Sequence, residues 1–483
     1  MAIDWAAFGV DLHLELDSTA GRRAALERAL REAIRAGRLA PGARLPATRA
    51  LAAELNLARN TVSAAYDQLV AEGFLSARTG SGTVVAALPR SRPHPPAELA
   101  DAPAPRYDLR PGSPDVTAFP TAAWLRSARR ALQAAPAAAF DYGDPRGRPE
   151  LRATLADYLG RTRGVLADPA RIVVTSGSAQ SLALLAGVLR GPGRAGAMGG
   201  SGIAMEDPGL PFHRDVVRHA RCRVVALPVD DRGARTELLG TGELGQVKAA
   251  LVTPAHQYPT GATMRPDRRH ALTQWARDRG GLVIEDDYDG EFRYDRQPVG
   301  ALQGMAPDHV AYLGTVSKTL GPALRLGWMV LPERLMEPVL DAKRHTDLHT
   351  ETIGQLTLAD LIACHAYERH VRSARLRYRR RLELLVRRLA GGRFTVHGIA
   401  AGLHVAIQLP GPVSTPGLST EDDVLRRALA HGLALGDLRG HWHDPAAPHP
   451  PGVIVGFGTP GESAYPAALD MLARVLSHPY RSA

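Results

Sequence analysis

The chain has 483 residues, 45% hydrophobic and 22% charged, with a formal charge of +10. At roughly 150 residues per domain that length suggests about three structural units, and the composition excludes wholesale disorder, collagen-like repeats and coiled coil as the main architecture. Because no run of eighteen apolar residues occurs and the opening MAIDWAAFGVDLHLELD carries acids where a secretory leader needs Lys or Arg, neither a membrane span nor a signal peptide is supported, and the cytoplasm is the expected compartment. In chain order, residues 20 to 82 form a segment of their own. GRRAALERALREAIRAG places Leu26, Leu30 and Ile34 on one helical face and stops at Gly37; TRALAAELNL reads as a short helix with Thr48 as N-cap. Residues 58 to 72 read as a third helix with Val62, Tyr66 or Ala65, and Leu69 inward, stopped by Gly73. FLSARTGSGTVVA then reads as two short strands. Three helices and a hairpin is the order of a winged helix-turn-helix.

From about 83 to 106 prolines crowd the chain at 89, 93, 95, 96, 103 and 105, which marks a semi-extended linker. Beyond it strands and helices alternate: RIVVT (171 to 175) before a helix near Ser178, GIAME (202 to 206) before a helix from about Pro211, then RVVALPV, AALVTP, GLVIEDD (281 to 287) and HVAYLGT (309 to 315). Short apolar strands separated by helices predict an α/β domain, a mostly parallel sheet covered on both faces. A long helix, roughly Thr350 to Leu389, is expected to lead into a smaller C-terminal unit from about 390, with strands near 394 to 409 and 453 to 457.

Cys222 and Cys364 have no C-x-x-C companion, so no disulfide framework or zinc site is expected, and both are read as buried thiols. Lysines number only three, Lys248, Lys318 and Lys343, against 56 arginines. Chemistry that needs an amine therefore has three candidates.

In open parallel sheets ligands bind beyond the carboxyl ends of the strands, and those positions are polar here. SGSAQ (176 to 180) is a Gly-containing turn opening a helix, whose free amides suit a phosphate; Asp286, Asp287 and Tyr288 follow one strand; Ser317 and Lys318 follow another, with Arg325 seven residues on. Singly, each is an ordinary helix cap, a solvated carboxylate pair or a surface ion pair. Together, a phosphate cradle, a carboxylate and a lysine among hydroxyls and an arginine are what pyridoxal phosphate requires.

The stretches YGDPRG (142 to 147), EDPGLP (206 to 211), TPAHQYPTG (253 to 261), IEDDYDGEFRY (284 to 294) and SKTLGPALRLGW (317 to 328) resemble, in order and spacing, a fold-type I aminotransferase of class I, covering about 107 to 483. LAPGARLPATRALAAEL and ARNTVSAAYDQLVAEGFL resemble the winged-helix DNA-binding domain of GntR regulators, here residues 1 to 82. The whole is similar to the MocR/GabR subfamily of transcriptional regulators. The resemblance implies that Lys318 holds the cofactor as a Schiff base, that Asp286 pairs with the pyridine nitrogen, and that Tyr288 approaches the phenolic oxygen. Thr315, Ser317 and Arg325, with the amides of Ser178 and Ala179, would bind the phosphate. His256 and Tyr258 stand where catalytic relatives often place a cofactor-contacting Asn. The resemblance also implies a head-to-tail homodimer.

Two positions depart from the family pattern. The aromatic residue that commonly stacks on the pyridine ring is Leu210 here, and the arginine that grips a substrate carboxylate near the C-terminus is Ile454, with Arg439 a conceivable substitute. Both departures point away from efficient amino-acid turnover.

Residues 20 to 82 hold ten arginines against five acids, half of the chain's excess charge, which is the footprint of phosphate contacts on DNA. Arg59, Asn60, Thr61 and Ser63 start the second helix of the turn, where side chains reach the major groove. Arg44 and Arg49 are placed for backbone phosphates, and Arg78, Thr79 and Gly80 in the wing for the adjacent minor groove. The sequence therefore reads as a DNA-binding transcriptional regulator that carries pyridoxal phosphate and responds to the cofactor itself or to an amino acid or amine. The alternative is a working aminotransferase with an accessory domain.

Overall fold

A computed structural model describes residues 21–78, 82–87, 105–190, 202–294, 299–398, 401–411 and 420–477. Thr79 and Gly80 of the expected wing, and most of the Pro-rich segment, lie outside the described residues. The chain divides into two compact units, residues 1–102 and 103–483.

In the first unit α1 (Arg22–Arg35), α2 (Thr48–Glu54) and α3 (Arg59–Ala71) precede an antiparallel hairpin of β1 (Leu75–Arg78) and β2 (Gly82–Val85). Leu26, Leu30, Leu51, Val62 and Leu69 are fully buried and pack with Leu45, Leu75 and Val85 into one core. Removing such a leucine side chain typically costs about 2–5 kcal/mol, a large fraction of what so small a body possesses. Ala65 and Tyr66 both face inward, and the Tyr66 hydroxyl is satisfied by the Pro46 carbonyl at 3.0 Å. Thr48 is the first helical residue of α2 rather than its cap; Ala47 holds the cap position without a side-chain hydrogen bond.

The second unit contains, in order, β3 (Tyr107–Asp108), α4 (Thr121–Ala134), α5 (Pro149–Arg163), β4 (Ile172–Thr175), α6 (Ser178–Arg190), β5 (Gly202–Asp207), α7 (Pro211–His219), β6 (Arg223–Asp230), β7 (Gly233–Ala234), β8 (Val247–Val252), α8 (Pro266–Arg279), β9 (Leu282–Asp286), β10 (Val310–Thr315), β11 (Gly327–Val330), α9 (Glu333–Asp347), α10 (Thr352–Ala363), α11 (Ala366–Leu389), β12 (Thr395–His397), β13 (His404–Gln408), α12 (Thr420–Ala430), β14 (Leu433–Ala434), β15 (Gly436–Asp437), β16 (Gly452–Gly456) and α13 (Tyr465–Ser477). The main sheet runs β4-β11-β10-β9-β8-β5-β6-β7. Neighbours from β10 through β9, β8 and β5 to β6 are parallel, while β11 is antiparallel to both strands beside it. Side chains alternate between two covered faces. Ile284 packs among Leu182, Val217 and Leu335 of the helices on one side, and Val283 among Leu272 and Ala276 of α8 on the other.

The expected single helix from 350 to 389 is two helices. The chain breaks at Cys364 and His365, where His365 has the left-handed φ of 56°. Cys364 sits at this break and is exposed, contrary to expectation, whereas Cys222 is buried with its thiol on the Ala186 carbonyl. The strands of the small C-terminal sheet, β12-β13-β16-β15, all lie beyond residue 390, but the core packed with them takes in Leu109, Phe292 and the α11 residues Tyr378, Leu382, Leu385 and Leu389.

Candidate cofactor site and nucleic-acid interface

The carboxyl ends of β4, β5, β8, β9 and β10 converge on a cavity of about 360 Å³. Ser178, Ala179, Tyr258, Asp286, Tyr288, Thr315, Ser317, Lys318 and Arg325 all line it. One wall forms where β4 turns into α6. Gly177 has φ +117°, and a Cβ there would lie 3.2 Å from the Arg325 guanidinium, so only glycine lets the arginine close over the turn. Arg325 itself has a φ of 51°, a left-handed conformation uncommon for a long side chain. The Thr315 and Ser317 hydroxyls are paired at 2.8 Å beside it. First-turn amides of α6, two hydroxyls and a guanidinium fork make an anion cradle.

Lys318 donates to the Gly112 carbonyl. Burial lowers its amine below the ordinary lysine range against the opposing pull of Asp289 and Asp286, which favours the free-base form that attacks a carbonyl. Lys248 does not line the cavity, and Lys343 is fully buried, its amine held by Asp347 and Thr350. Asp286 at the end of β9 is buried, its Oδ1 lacking a partner among the described residues. Burial, then repulsion from Asp287, raises it to about 7. His213 Nδ1 lies 3.7 Å from Asp286 Oδ2; burial and then the charge of Lys318 depress this imidazole to about 4, so the contact is between a neutral ring and a carboxyl group rather than an ion pair. An orphaned buried carboxylate oxygen, an amine and an anion cradle in one cavity fit pyridoxal phosphate: a pyridine nitrogen for Asp286, a carbonyl carbon for Lys318, a phosphate for Arg325. When bound, the cofactor supplies an electrophilic carbonyl and an electron-withdrawing ring.

His256 does not line the cavity. It is buried behind Tyr288, with Nδ1 2.8 Å from Asp289 and 3.1 Å from the Tyr288 hydroxyl, which donates to the His256 carbonyl. Tyr258 does line the cavity, packed edge-on against Tyr288 and His404, its hydroxyl 3.2 Å from His441. Leu210 is joined there by Phe212 and His213. Ile454 is fully buried in the small sheet between Ala406 and Gly436, and neither it nor Arg439 is among the lining residues. Among the lining residues that sequence reasoning missed are the ionisable Glu206, His213, Arg214 and His404. Of these, Glu206, His213 and Arg214 fall within EDPGLPFHRD, where density of polar residues after a strand was the available signal. Arg214 donates to the carbonyls of Gly209, Gly440, His441 and Trp442, pinning the 440–442 turn to the start of α7.

In the first unit, Arg59 and Asn60 are exposed and Thr61 and Ser63 half-buried at the amino end of α3, the second helix of the turn. Arg44 and Arg49 are exposed, and Arg44 bridges to Val84 of β2. This surface is basic and its core residues face away from it.

Residues 112–430 match the family described as aminotransferase class I and II, and residues 22–85 the gntR family of bacterial regulatory proteins. The chain is 31% identical to the HTH-type pyridoxine biosynthesis transcriptional regulator PdxR of Corynebacterium glutamicum, across 90% of this chain and 91% of that one. It is also 31% identical to the probable rhizopine catabolism regulatory protein MocR of Rhizobium meliloti, across 92% of each. The crystal structure of kynurenine aminotransferase from Pyrococcus horikoshii, solved with PMP, superposes with a TM-score of 0.67 at 26% identity, over 76% of this chain and 90% of that one. With a GntR helix-turn-helix unit and a pyridoxal phosphate site on an aminotransferase fold in one chain, the protein belongs to the MocR/GabR subfamily of transcriptional regulators.

Proposed function

We propose that this regulator reads the supply of pyridoxal phosphate itself: cofactor capture at Lys318 changes the affinity of the winged helix for its operator. The observation that carries this is the disposition of cations around the cavity. Among the described lining residues the permanently charged or basic groups are Lys318, Arg325 and Arg214. The first two suit the cofactor, and Arg214 is engaged with four backbone carbonyls. Burial leaves His213 and His404 neutral. A substrate carboxylate thus finds no guanidinium fork, which suits a sensor of the cofactor better than a catalyst of amino-acid exchange. The pyridoxine biosynthesis role in the name of the Corynebacterium relative agrees with this reading.

The DNA face comprises Arg59, Asn60, Thr61 and Ser63 for base edges and Arg44 and Arg49 for phosphates, with Arg78, Thr79 and Gly80 assigned to the wing on sequence alone. The winged helix spans residues 1 to 82, the linker 83 to 106 and the cofactor-binding domain 107 to 483. The working form is a cytoplasmic homodimer, a reading supported by the exposed apolar side chains Leu125, Phe140, Tyr142, Leu348 and Ile353 of the second unit. No described helix is long and apolar enough to cross a membrane. The test is an operator titration of cofactor-loaded protein with a panel of amino acids and amines. The expected result is an unchanged affinity throughout; a large shift with one compound would assign the effector role to that compound.

A further inference from the structure

We propose that His256, Asp289 and His404 form a site for a divalent ion of the borderline class that Zn(II) typifies, set behind Tyr288 at the wall of the cofactor cavity. The three side chains come from three separate places: the loop after β8, the loop after β9 and the first residue of β13. All three are buried, and one ligand atom from each falls within 4.8 Å of the others. His256 Nδ1 and Asp289 Oδ2 are 2.8 Å apart, a hydrogen bond that opens to about 3.3–3.6 Å when the two donors share one tetrahedral ion at about 2.0–2.2 Å each. The His404 ring sits 5.0 Å from that of His256, centroid to centroid.

Two observations set this cluster apart from ordinary packed histidines. The Nε2 atom of His404 is buried with no hydrogen-bond partner among the described residues, although buried polar atoms are almost always paired. The backbone over the cluster is also fixed by glycine. Gly402 has φ +68°, and a Cβ there would lie 2.4 Å from His256 Nδ1 and 2.7 Å from Asp289 Oδ2. Two imidazoles and a carboxylate form the donor set that Zn(II), Co(II) and Ni(II) take, and Tyr288, 3.1 Å from His256 Nδ1, offers a phenolic oxygen beside it. The ion takes the place of the proton between His256 and Asp289, which leaves to solvent. Because Tyr288 and His404 also line the cofactor cavity, an ion here repositions one wall of it. That coupling rests on the cofactor assignment; the metal site does not.

Apoprotein is dialysed against Zn(II) and, separately, titrated with Co(II). The expected result is one tightly held equivalent per chain and visible Co(II) bands without the intense near-ultraviolet absorption of thiolate ligation. Asp289→Asn and His404→Ala should each weaken affinity at least tenfold, and His345→Ala, at an exposed histidine, should leave it unchanged. Gly402→Ala, whose methyl would fall on the donor atoms, serves as a third variant. Retention of the same stoichiometry and affinity in all three site variants would overturn the proposal, as would thiolate absorption with Co(II) or no retained ion in the wild type. If one variant fails to fold, the wild-type Co(II) spectrum and the remaining variants decide.

Discussion

His213 Nδ1 stands 3.7 Å from Asp286 Oδ2, and on the other side of the same carboxyl group Oδ1 is buried without a partner among the described residues. One oxygen lies near a neutral imidazole and the other has no partner, which leaves the carboxyl group available to a pyridine nitrogen. Asp286→Ala should weaken cofactor binding by about 1.5–3 kcal/mol, roughly 10- to 150-fold, the range of a charge-assisted hydrogen bond. Equilibrium dialysis with pyridoxal phosphate measures this. An unchanged dissociation constant would show that the carboxylate does not meet the ring.

Covalent capture is assigned to Lys318. Purified wild type should absorb visible light as a Schiff base, and Lys318→Ala should lose that band while Lys248→Ala keeps it. Lys343→Ala should instead lower the melting temperature, since its amine is bonded inside the fold to Asp347 and Thr350.

The core of this site was legible in the sequence because it lies at strand ends, where position in the chain and position in space coincide. Lys318, Asp286, Arg325 and Ser178 could be found that way, whereas Tyr258 came from the family resemblance. His404 could not, because it belongs to β13, nearly 150 residues beyond Tyr258, and only the packing of the small sheet brings their rings together. His256 was misplaced for a related reason: it neighbours Tyr258 in the chain, but the turn points its ring behind Tyr288. The break between α10 and α11 carried no signal either. Neither Gly nor Pro stands at Cys364 and His365, and the apolar spacing on both sides reads as one helix.

Acidity offers a test of the burial itself. Glu206, Glu285 and Asp286 are each raised to about 7, with burial the first cause in all three. Between pH 4 and 7 the folded chain therefore retains protons that the unfolded chain has released, so the stability they contribute is present below about pH 4 and lost as pH rises through 7. Buried histidines such as His213 and His404, depressed by burial, act in the opposite direction over the same interval, so the carboxyl contribution is read as a difference. Between pH 5 and 8 the melting temperature of Asp286→Asn apoprotein should gain on that of the wild type, and cofactor should have the same effect on the wild type by giving Asp286 a cationic partner. A difference between variant and wild type that stays constant across this interval would contradict the reading.

On the DNA side two arginines should behave differently. Arg59→Ala removes a side chain from the amino end of α3 and should cost about 1–3 kcal/mol on the operator while relaxing discrimination between sequences. Arg44→Ala should weaken binding to all sequences alike and lower the salt slope by about one unit. Gel-shift titrations at several salt concentrations separate the two; equal effects on specificity would mean that α3 does not enter the groove as argued.

The central claim is that an aminotransferase fold serves here as a cofactor sensor, and it is tested most directly by titrating operator DNA with apoprotein and with cofactor-loaded protein while assaying the same preparations for amino-acid turnover. The account predicts tight cofactor binding, a clear difference in DNA affinity between the two forms, and transamination that is slow or absent. Identical DNA affinity in both forms together with robust multiple turnover would contradict it.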